Sequence, residues 1–288
     1  MDLSQLSPMM QHYMETKKEY PDCILFYRLG DFYEMFFDDA LTVSKELEIT
    51  LTGKDCGLSE RAPMCGVPFH AVDSYLYRLV QKGYKVAIAE QMEDPRQAKG
   101  LVKREVIRVV TPGTITSSQV LDETKNNYLM GIVYMDGIYG ISTADISTGD
   151  FMVTEVDSDR ELFDEINKFS PSEIICNNAF YMSGVDMDEL KNRYQVVISA
   201  LDSRFFGEES CRRILMEHFK VGALVGLGLE DYATGIIAAG AVMQYIYETQ
   251  KSTLEHITTI TPYSTGQYMV IDTSTRRNLE LVETMREK

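Results

Sequence analysis

The hydrophobic pattern of the first 115 residues predicts strands that alternate with helices. An apolar run over residues 23–29 has the length of a buried strand and stops at Gly30. Asp31 opens the next segment and Glu34 follows three positions later, which is the D-x-x-E form of a capping box. The apolar positions that come next have the spacing of one helical face: Phe36, Ala40, Val43 and Leu47. We therefore expect a helix that begins at Asp31.

The rest of this half follows the same alternation. Ser7 and Pro8 predict the cap and first turn of a short helix that ends before Pro21. Another helix is predicted from Asp73 or Ser74 to Gly83. Further extended runs are residues 48–52, 62–72 (a short strand followed by a turn), 84–92 and 103–114. These elements indicate a mixed-sheet α/β domain over residues 1–115.

The second half has a different pattern. Residues 116–127 are polar and without period, which predicts a linker. Asp136-Gly137 is a strong two-residue hairpin signal, and a second turn at residues 148–150 predicts three antiparallel strands within residues 128–156. A helix over residues 159–169 and a strand over residues 172–177 complete the layout of a ribonuclease-H-like sheet in a domain of residues 128–255. Helices around residues 210–219 and 230–250 are expected to cover that sheet, the second rich in small residues.

The last stretch is extended over residues 258–271 and then enters a helix at Asp272 that is still in progress at Lys288. A helix without a C-cap at the end of the chain leads us to expect a fragment of a longer protein.

Composition narrows the class of protein. The chain has 288 residues, of which 44% are hydrophobic and 25% charged, with no run of eighteen apolar residues and no signal-peptide layout. We therefore expect a cytoplasmic protein without a membrane span. Five scattered cysteines and four scattered histidines, without a C-x-x-C motif, predict reduced thiols and no metal site. No phosphate-binding glycine motif occurs, so no nucleotide site is expected in this chain.

The net charge of −16 is unevenly distributed. Residues 1–115 hold 14 basic and 17 acidic residues, whereas residues 116–260 hold 10 and 23, and residues 261–288 hold 4 and 4. Phosphate contacts need Lys and Arg, so a DNA-binding role belongs to the first domain if it exists. The acidic middle is expected to face protein partners or solvent. An adaptor that works only through residues 128–255 is one reading of that charge.

Two further patterns allow alternatives. Asp136, Asp145 and Asp150 could be the metal-binding carboxylates of a nuclease, although Asp136 and Asp150 lie where turns favour aspartate. The basic residues around the last strand of the first domain are either a phosphate-contacting strip or a solvated edge strand. These residues are Lys99, Lys103, Arg104 and Arg108.

Phe32 can also be read in two ways. Helical spacing favours packing beside Phe36 one turn further on. The alternative is an aromatic wedge that unstacks a base step from the minor groove and kinks the duplex. Glu34 would repel phosphates, yet it could accept a hydrogen bond from a base edge that unstacking exposes. A wedge beside an acid suits selection of easily deformed DNA.

Six motifs in one order resemble the N-terminal part of the bacterial MutS family of DNA mismatch repair proteins. They are LGDFYEMF, APMCGVPFHAV, VAIAEQMEDP, VVTPGT, ADISTGDF and DTSTRRNLEL, within residues 9–288. The resemblance implies an α/β mismatch-recognition domain, a ribonuclease-H-like connector domain and, over residues 256–288, the start of a helical core. It moves Phe32 from a core residue to an exposed wedge and makes the nuclease alternative less attractive.

The same resemblance implies roles for residues and partners. Phe32 would stack on a mispaired or unpaired base and Glu34 would hydrogen-bond to it. Other expected duplex contacts are Leu29, Asp31, Tyr33, Met64, Pro68, His70, Gln91 and Arg104. The expected partners are mismatched or looped double-stranded DNA and, on the connector, the downstream protein MutL. ATP, Mg²⁺ and homodimer formation are expected only of the intact protein, so this chain should need no cofactor, lack enzymatic activity and be monomeric.

Overall fold

The computed structural model describes residues 3–93, 100–116 and 126–265. These residues form two compact units. The first contains the described residues up to 116 together with residues 246–253, and the second contains residues 126–245 and 254–265. The proposed boundaries at residues 115, 127 and 255 stay predictions.

The first unit is built on a six-stranded mixed sheet with the order β3-β4-β2-β1-β5-β6. Strand β1 pairs with β5 in parallel, and every other neighbouring pair is antiparallel. Its strands are β1 (Cys23–Leu29), β2 (Phe32–Phe36), β3 (Thr52–Lys54), β4 (Ala62–Pro68), β5 (Lys85–Gln91) and β6 (Arg104–Val110). Its helices are α1 (Pro8–Glu19), α2 (Phe37–Leu47) and α3 (Val72–Gln81). The predicted mixed-sheet α/β domain is confirmed.

The segment after β1 contradicts the sequence analysis. No helix begins at Asp31; β2 begins at Phe32, and α2 begins only at Phe37 without any side-chain cap. The capping-box prediction for Asp31 and Glu34 is therefore wrong. The sheet prevails because β2 lies between β1 and β4, and both neighbours supply backbone hydrogen-bond partners.

Both faces of the first sheet are covered, so the sequence of β2 does not alternate between polar and apolar residues. Tyr33 and Met35 point into a core shared with α2 and α3. Phe36 points to the opposite face, into a core shared with α1. With apolar residues on both faces, β2 lacks the polar–apolar alternation of a half-buried strand.

Most other predictions for this half are confirmed. Pro8 is the first residue of α1, and Gly83 follows α3 with φ +88°. The run at residues 48–52 is displaced, because the strand there is β3 at Thr52–Lys54. Strand β4 is followed by a 3-10 turn at Phe69–Ala71, as the prolines indicated.

The second unit has a six-stranded sheet with the order β11-β10-β7-β8-β9-β12. Strands β7, β8 and β9 form an antiparallel meander, while β10 runs parallel to β7, β11 to β10 and β12 to β9. This arrangement confirms the ribonuclease-H-like prediction. The strands are β7 (Tyr128–Met135), β8 (Ile138–Asp145), β9 (Asp150–Val156), β10 (Glu173–Cys176), β11 (Val197–Ala200) and β12 (Thr261–Pro262). The helices are α4 (Asp159–Phe169), α5 (Asn178–Tyr181), α6 (Met187–Tyr194), α7 (Glu208–Phe219) and α8 (Ala233–Gln250).

Helix α8 packs closely on this sheet because glycines remove side chains from the contact. A Cβ at Gly140 would lie 2.4 Å from the backbone of Thr234, and one at Gly131 would lie 2.5 Å from a methyl of Val242. Glu155 on β9 accepts hydrogen bonds from the amides of Thr234 and Gly235 in the first turn of α8, at 2.6 and 2.8 Å. On the helix side, a Cβ at Gly235 of α8 would lie 2.8 Å from a methyl of Val153 on β9, so a small residue of α8 also permits the close packing. The predicted helix after Asp272 lies outside the described residues.

Candidate nucleic-acid interface

The hairpin between β1 and β2 carries the aromatic residue singled out in the sequence. Leu29 pairs with Phe32 across a two-residue turn, Gly30-Asp31. Gly30 has φ +58°, and glycine at the first position of such a turn is typical of type II′ hairpins. Phe32 is 47% exposed, so it is not a core residue beside Phe36.

Exposure falls steeply along one face of β2. Phe32, Glu34 and Phe36 are alternate residues of one strand, so they share a face. Phe36 is only 1% exposed, whereas the side chain of Glu34 is 15% exposed. The face is therefore a packed core at one end and an open aromatic tip at the other.

Most of the predicted duplex contacts lie around this tip. Leu29 on β1 and Pro68 on β4 are the direct neighbours of Phe32. Gln91 ends β5 and pairs with Arg104 at the start of β6. Met64 lies further from the tip, beside Phe36. The sheet thus brings five dispersed sequence positions to one face.

Three predicted residues lie elsewhere. Tyr33 points to the opposite face, is 7% exposed and donates a 2.5 Å hydrogen bond to Glu90. Burial, with Glu90 as a second cause, raises the pKa of the Tyr33 phenol above its ordinary value. Asp31 lies exposed in the turn, where its carbonyl accepts from the amide of Phe69 at 2.9 Å. His70 is exposed in the 3-10 turn after β4.

Glu34 is held by a residue that the sequence analysis missed. Its Oε2 lies 2.5 Å from Nζ of Lys54 on β3. Gly66 of β4 pairs with Glu34, and a Cβ at Gly66 would lie 3.5 Å from Cγ of Glu34. The side chain of Glu34 therefore lies over a position without a side chain. Residues 52–54 are too short a strand to indicate in sequence which way Lys54 points.

Arg104 has a mainly internal set of contacts. It is 6% exposed, its guanidinium lies 5.0 Å from the ring centroid of Tyr27, and it donates to the carbonyls of Arg28 and Val102 at 2.7 Å each. The bond to Arg28 joins the start of β6 to the end of β1, whereas the bond to Val102 is local. A direct duplex contact by Arg104 stays a prediction.

The predicted basic strip is not a single surface. A register shift between Ile88 and Ala89 leaves Arg108 opposite Ile88, on the α3 side, while Arg104 lies on the α1 side. Lys103 pairs with Glu105 at 2.6 Å. Lys99 lies outside the described residues.

Further exposed apolar side chains lie at the end of the sheet that carries the hairpin tip. Phe69 follows β4, Met92 follows β5 and Leu101 precedes β6, all at the end of the sheet that carries Phe32. They are 39%, 49% and 44% exposed. The guanidinium of Arg28 lies 3.9 Å from the ring centroid of Phe69. Sequence reasoning missed these residues because only the sheet order shows that the strand ends meet.

The three carboxylates of the nuclease alternative do not converge on one point: Asp145 and Asp150 are cross-strand partners on β8 and β9, but Asp136 lies at the other end of β8. Asp136 precedes β8 and Asp145 ends it, so a strand of eight residues, about 25 Å long, separates them. Asp145 is fully buried, and its oxygens accept from the amide of Asn127 and from the amide and hydroxyl of Ser147. A two-metal site needs its ions about 4 Å apart. Across residues 3–93, 100–116 and 126–265, no three potential ligands form a metal-binding group.

The five cysteines are all buried and unpaired, as the sequence indicated. Burial raises the pKa of Cys65, Cys176 and Cys211 to about 12 in each case. These thiols are packing residues. In the described part of the chain no helix is long and apolar enough to cross a membrane.

The fold and the hairpin tip define a protein with two α/β domains in series, the first with an exposed aromatic hairpin and the second with a ribonuclease-H-like sheet. The family model for MutS domain I matches residues 7–119, and the model for MutS domain II matches residues 127–258. The chain therefore belongs to the MutS family.

Curated relatives agree with this assignment. The chain is 63% identical over 286 residues to the DNA mismatch repair protein MutS of Lachnoclostridium phytofermentans, covering 99% of this chain and 31% of that protein. It is 54% identical over 289 residues to the MutS protein of Acetivibrio thermocellus, covering 99% and 33%. The MutS protein of Ruminiclostridium cellulolyticum is 51% identical with the same coverage. The chain spans about a third of the length of these relatives.

Proposed function

We propose that this chain recognises mismatched or looped double-stranded DNA in mismatch repair. Phe32 is the wedge that enters the minor groove and stacks on a mispaired or unpaired base. Glu34 hydrogen-bonds to the displaced base. The observation that carries the proposal is the 47% exposure of Phe32 at the tip of a hairpin whose other end is fixed in the core.

The surroundings of Phe32 support a wedge. A large aromatic side chain exposed on a two-residue turn can enter a groove that a broad surface cannot. Met92 and Leu101 are further exposed apolar side chains at the same end of the sheet. Apolar side chains that insert between base steps kink a duplex, and a mispaired step is less costly to unstack.

The contacts of the other predicted residues suggest different roles within the proposal. Leu29 and Pro68 flank the wedge and contact the sugar edge beside it, with Met64, Gln91 and His70 further out. Asp31 fixes the turn. Tyr33 and Arg104 are buried and support the hairpin from inside the domain through their bonds to Glu90 and to the backbone of β1.

For the longer protein that the relatives represent, the proposal includes the family's wider cycle. The second domain acts as the connector that docks MutL and relays the state of the DNA to an ATPase domain. That protein is a homodimer that uses ATP and Mg²⁺, whereas this chain is monomeric and carries out no chemistry. Because the proposed ligand is chromosomal DNA, the cytoplasm is the proposed location.

The decisive variant is Phe32→Ala in the full-length protein encoded by the gene. Base–aromatic stacking contributes about 1–3 kcal/mol per base, so the preference for a mismatched over a matched duplex should fall at least about fivefold. Fluorescence anisotropy titrations with two otherwise identical duplexes measure this ratio. Stability should hardly change, because Phe32 is half exposed.

Phe69→Ala is the matched control, since it removes an aromatic ring of similar exposure from the same end of the sheet. It should leave the ratio within about twofold. An unchanged ratio in Phe32→Ala would contradict the proposal, and equal losses in both variants would show that apolar area rather than the wedge recognises the DNA.

A further inference from the structure

Glu34 does not present a free carboxylate. Lys54 Nζ lies 2.5 Å from its Oε2, and the two side chains are 33% and 15% exposed. No hydrogen bond from the described residues reaches its Oε1. One oxygen is therefore anchored, and the other remains as an acceptor.

This ion pair joins two strands that are not neighbours in the sheet. Lys54 is on the edge strand β3 and Glu34 is on β2, with β4 between them. Gly66 of β4 lies between the two strands and has no side chain, and the Cγ of Glu34 lies 3.5 Å from the point where a Cβ would be, so the side chain of Glu34 lies against this position. Nζ of Lys54 also lies 5.7 Å from the ring centroid of Phe36, the buried anchor of the same strand face.

We infer that Lys54 is a positioning residue that sets mismatch discrimination through Glu34, an inference that rests on the proposed function. The lysine holds the carboxylate in one orientation, so that Oε1 is already placed to accept a hydrogen bond from a displaced base. It also offsets a negative charge that would otherwise repel every approaching phosphate. Both effects act through Glu34 and need no contact between Lys54 and DNA.

A direct phosphate contact by Lys54 is the competing role, and it makes different predictions. A phosphate contact adds to affinity for all sequences equally and contributes about one unit to the slope of log affinity against log salt. A positioning role changes the ratio between mismatched and matched DNA, and it disappears when Glu34 is absent.

The experiment is a double-mutant cycle in the full-length protein, with Lys54→Met, Glu34→Ala and both together. Glu34→Ala should bind matched duplex more tightly than the parent and lose part of the mismatch preference. Lys54→Met should lower that preference about fivefold, the effect of losing one typical hydrogen bond. In the Glu34→Ala background the lysine change should alter the ratio less than twofold.

Two further variants separate positioning from folding and from charge. Lys54→Arg retains a cation that can reach the carboxylate and should restore most of the preference. Lys82→Met removes another lysine paired with a glutamate, Glu46 at 2.7 Å, on the helical side of the domain. It makes the same change in net charge and should leave the ratio unchanged. Thermal melts confirm that each variant is folded.

The outcomes distinguish the inference from the function on which it rests. Equal weakening of both duplexes by Lys54→Met, with the same effect in the Glu34→Ala background, would overturn the inference and favour a phosphate contact. No effect of Lys54→Met on the ratio, while Glu34→Ala has one, would also overturn it and leave the proposed function intact. If Phe32→Ala and Glu34→Ala both left the ratio unchanged, the proposed function itself would fail.

Discussion

The two domains contain hairpins that share a two-residue turn and a buried tyrosine, but that differ at the first and third residues of the strand after the turn. Each has a two-residue turn, Gly30-Asp31 or Asp136-Gly137. In each, the second residue of the following strand is a buried tyrosine whose hydroxyl donates to a carboxylate. Tyr33 donates to Glu90 at 2.5 Å, and Tyr139 donates to Asp159 at 2.6 Å.

The third residue shows how differently the two hairpins are used. In the second domain it is Gly140, and the backbone of Thr234 at the start of α8 occupies the space above it. In the first domain it is Glu34, which lies over the bare position of Gly66. In the second domain, a glycine of the sheet makes room for a helix. In the first domain, a glycine of the sheet lies beneath an acidic side chain.

The first residue of the strand after the turn also differs between the two hairpins, in how far its side chain is exposed. Phe32 is 47% exposed, whereas Ile138 is half-buried. A sheet face covered to its end can only stabilise the fold. A face that is covered at Phe36 and open at Phe32 has a rigid base and a free tip, which is what a wedge requires.

The strongest test of this comparison is Gly140→Ala. The added methyl would lie 2.4 Å from backbone atoms of Thr234, which cannot move without displacing α8. Overpacking of this kind typically costs about 1–3 kcal/mol, so the second domain should unfold at lower urea concentration. The measurement is urea denaturation followed by circular dichroism.

Gly222→Ala is the control for that variant. A methyl at Gly222 would have no neighbouring atom within 4 Å, and the residue lies in an exposed bend, so its replacement should stay within about 0.5 kcal/mol of the parent. Equal midpoints for Gly140→Ala and the parent would refute the close seating of α8.

A smaller effect is expected from the turns themselves. Gly30→Ala and Gly137→Ala both place a Cβ at positive φ in open space, at +58° and +83°. Each should cost about 1 kcal/mol of stability, because left-handed backbone is unfavourable for alanine. Only Gly30→Ala should also reduce the preference for mismatched DNA, since its turn carries Phe32.

The comparison would be sharpened if Gly30→Ala and Gly137→Ala lost equal stability and only Gly30→Ala had a reduced preference for mismatched DNA. A reduced preference in Gly137→Ala as well would break it, because the second hairpin would then take part in discrimination. Denaturation midpoints and anisotropy titrations on the same preparations give both quantities.

The hairpins also explain which parts of the structure the sequence could predict. Asp136-Gly137 is a specific chemical signal, because both residues have positive φ, at 52° and 83°, and few residue pairs tolerate that. Gly30-Asp31 is followed by FYEMF, whose apolar residues fill two cores at once. The sequence of this strand therefore shows no alternation of polar and apolar residues. The D-x-x-E pattern indicated a helix there instead.

The prediction of the site was also limited, because the site depends on which strands pair. The face that carries Phe32, Leu29 and Pro68 exists because β2 lies between β1 and β4. That pairing joins residues far apart in sequence, and no local pattern encodes it. Lys54 was missed for this reason, since its partner is 20 residues away and two strands distant. Tyr33 was predicted as a duplex contact from the family resemblance, and that contact stays a prediction, although the sheet turns its side chain to the face opposite Phe32.

The smallest predicted effect concerns the buried tyrosine that both hairpins contain. Tyr33→Phe and Tyr139→Phe each remove a hydroxyl that donates to a carboxylate, and each should cost about 1 kcal/mol at pH 8. Burial, followed by the carboxylate partner, raises the pKa of both phenols above the value near 10 that they have when unfolded. Their contribution is therefore complete below pH 10 and is lost as pH rises towards the folded pKa, because the unfolded chain ionises first.

The difference in unfolding free energy between the parent and each variant should accordingly shrink between pH 8 and pH 11, in both domains alike. Urea denaturation at the two pH values measures it, and taking the difference cancels the other tyrosines. Neither variant should change the ratio of mismatched to matched DNA binding by more than about twofold, because neither hydroxyl lies on the face of Phe32. A large loss of that ratio in Tyr33→Phe alone would show that the bond to Glu90 sets the position of the wedge, and the likeness of the two hairpins would then end at the turn.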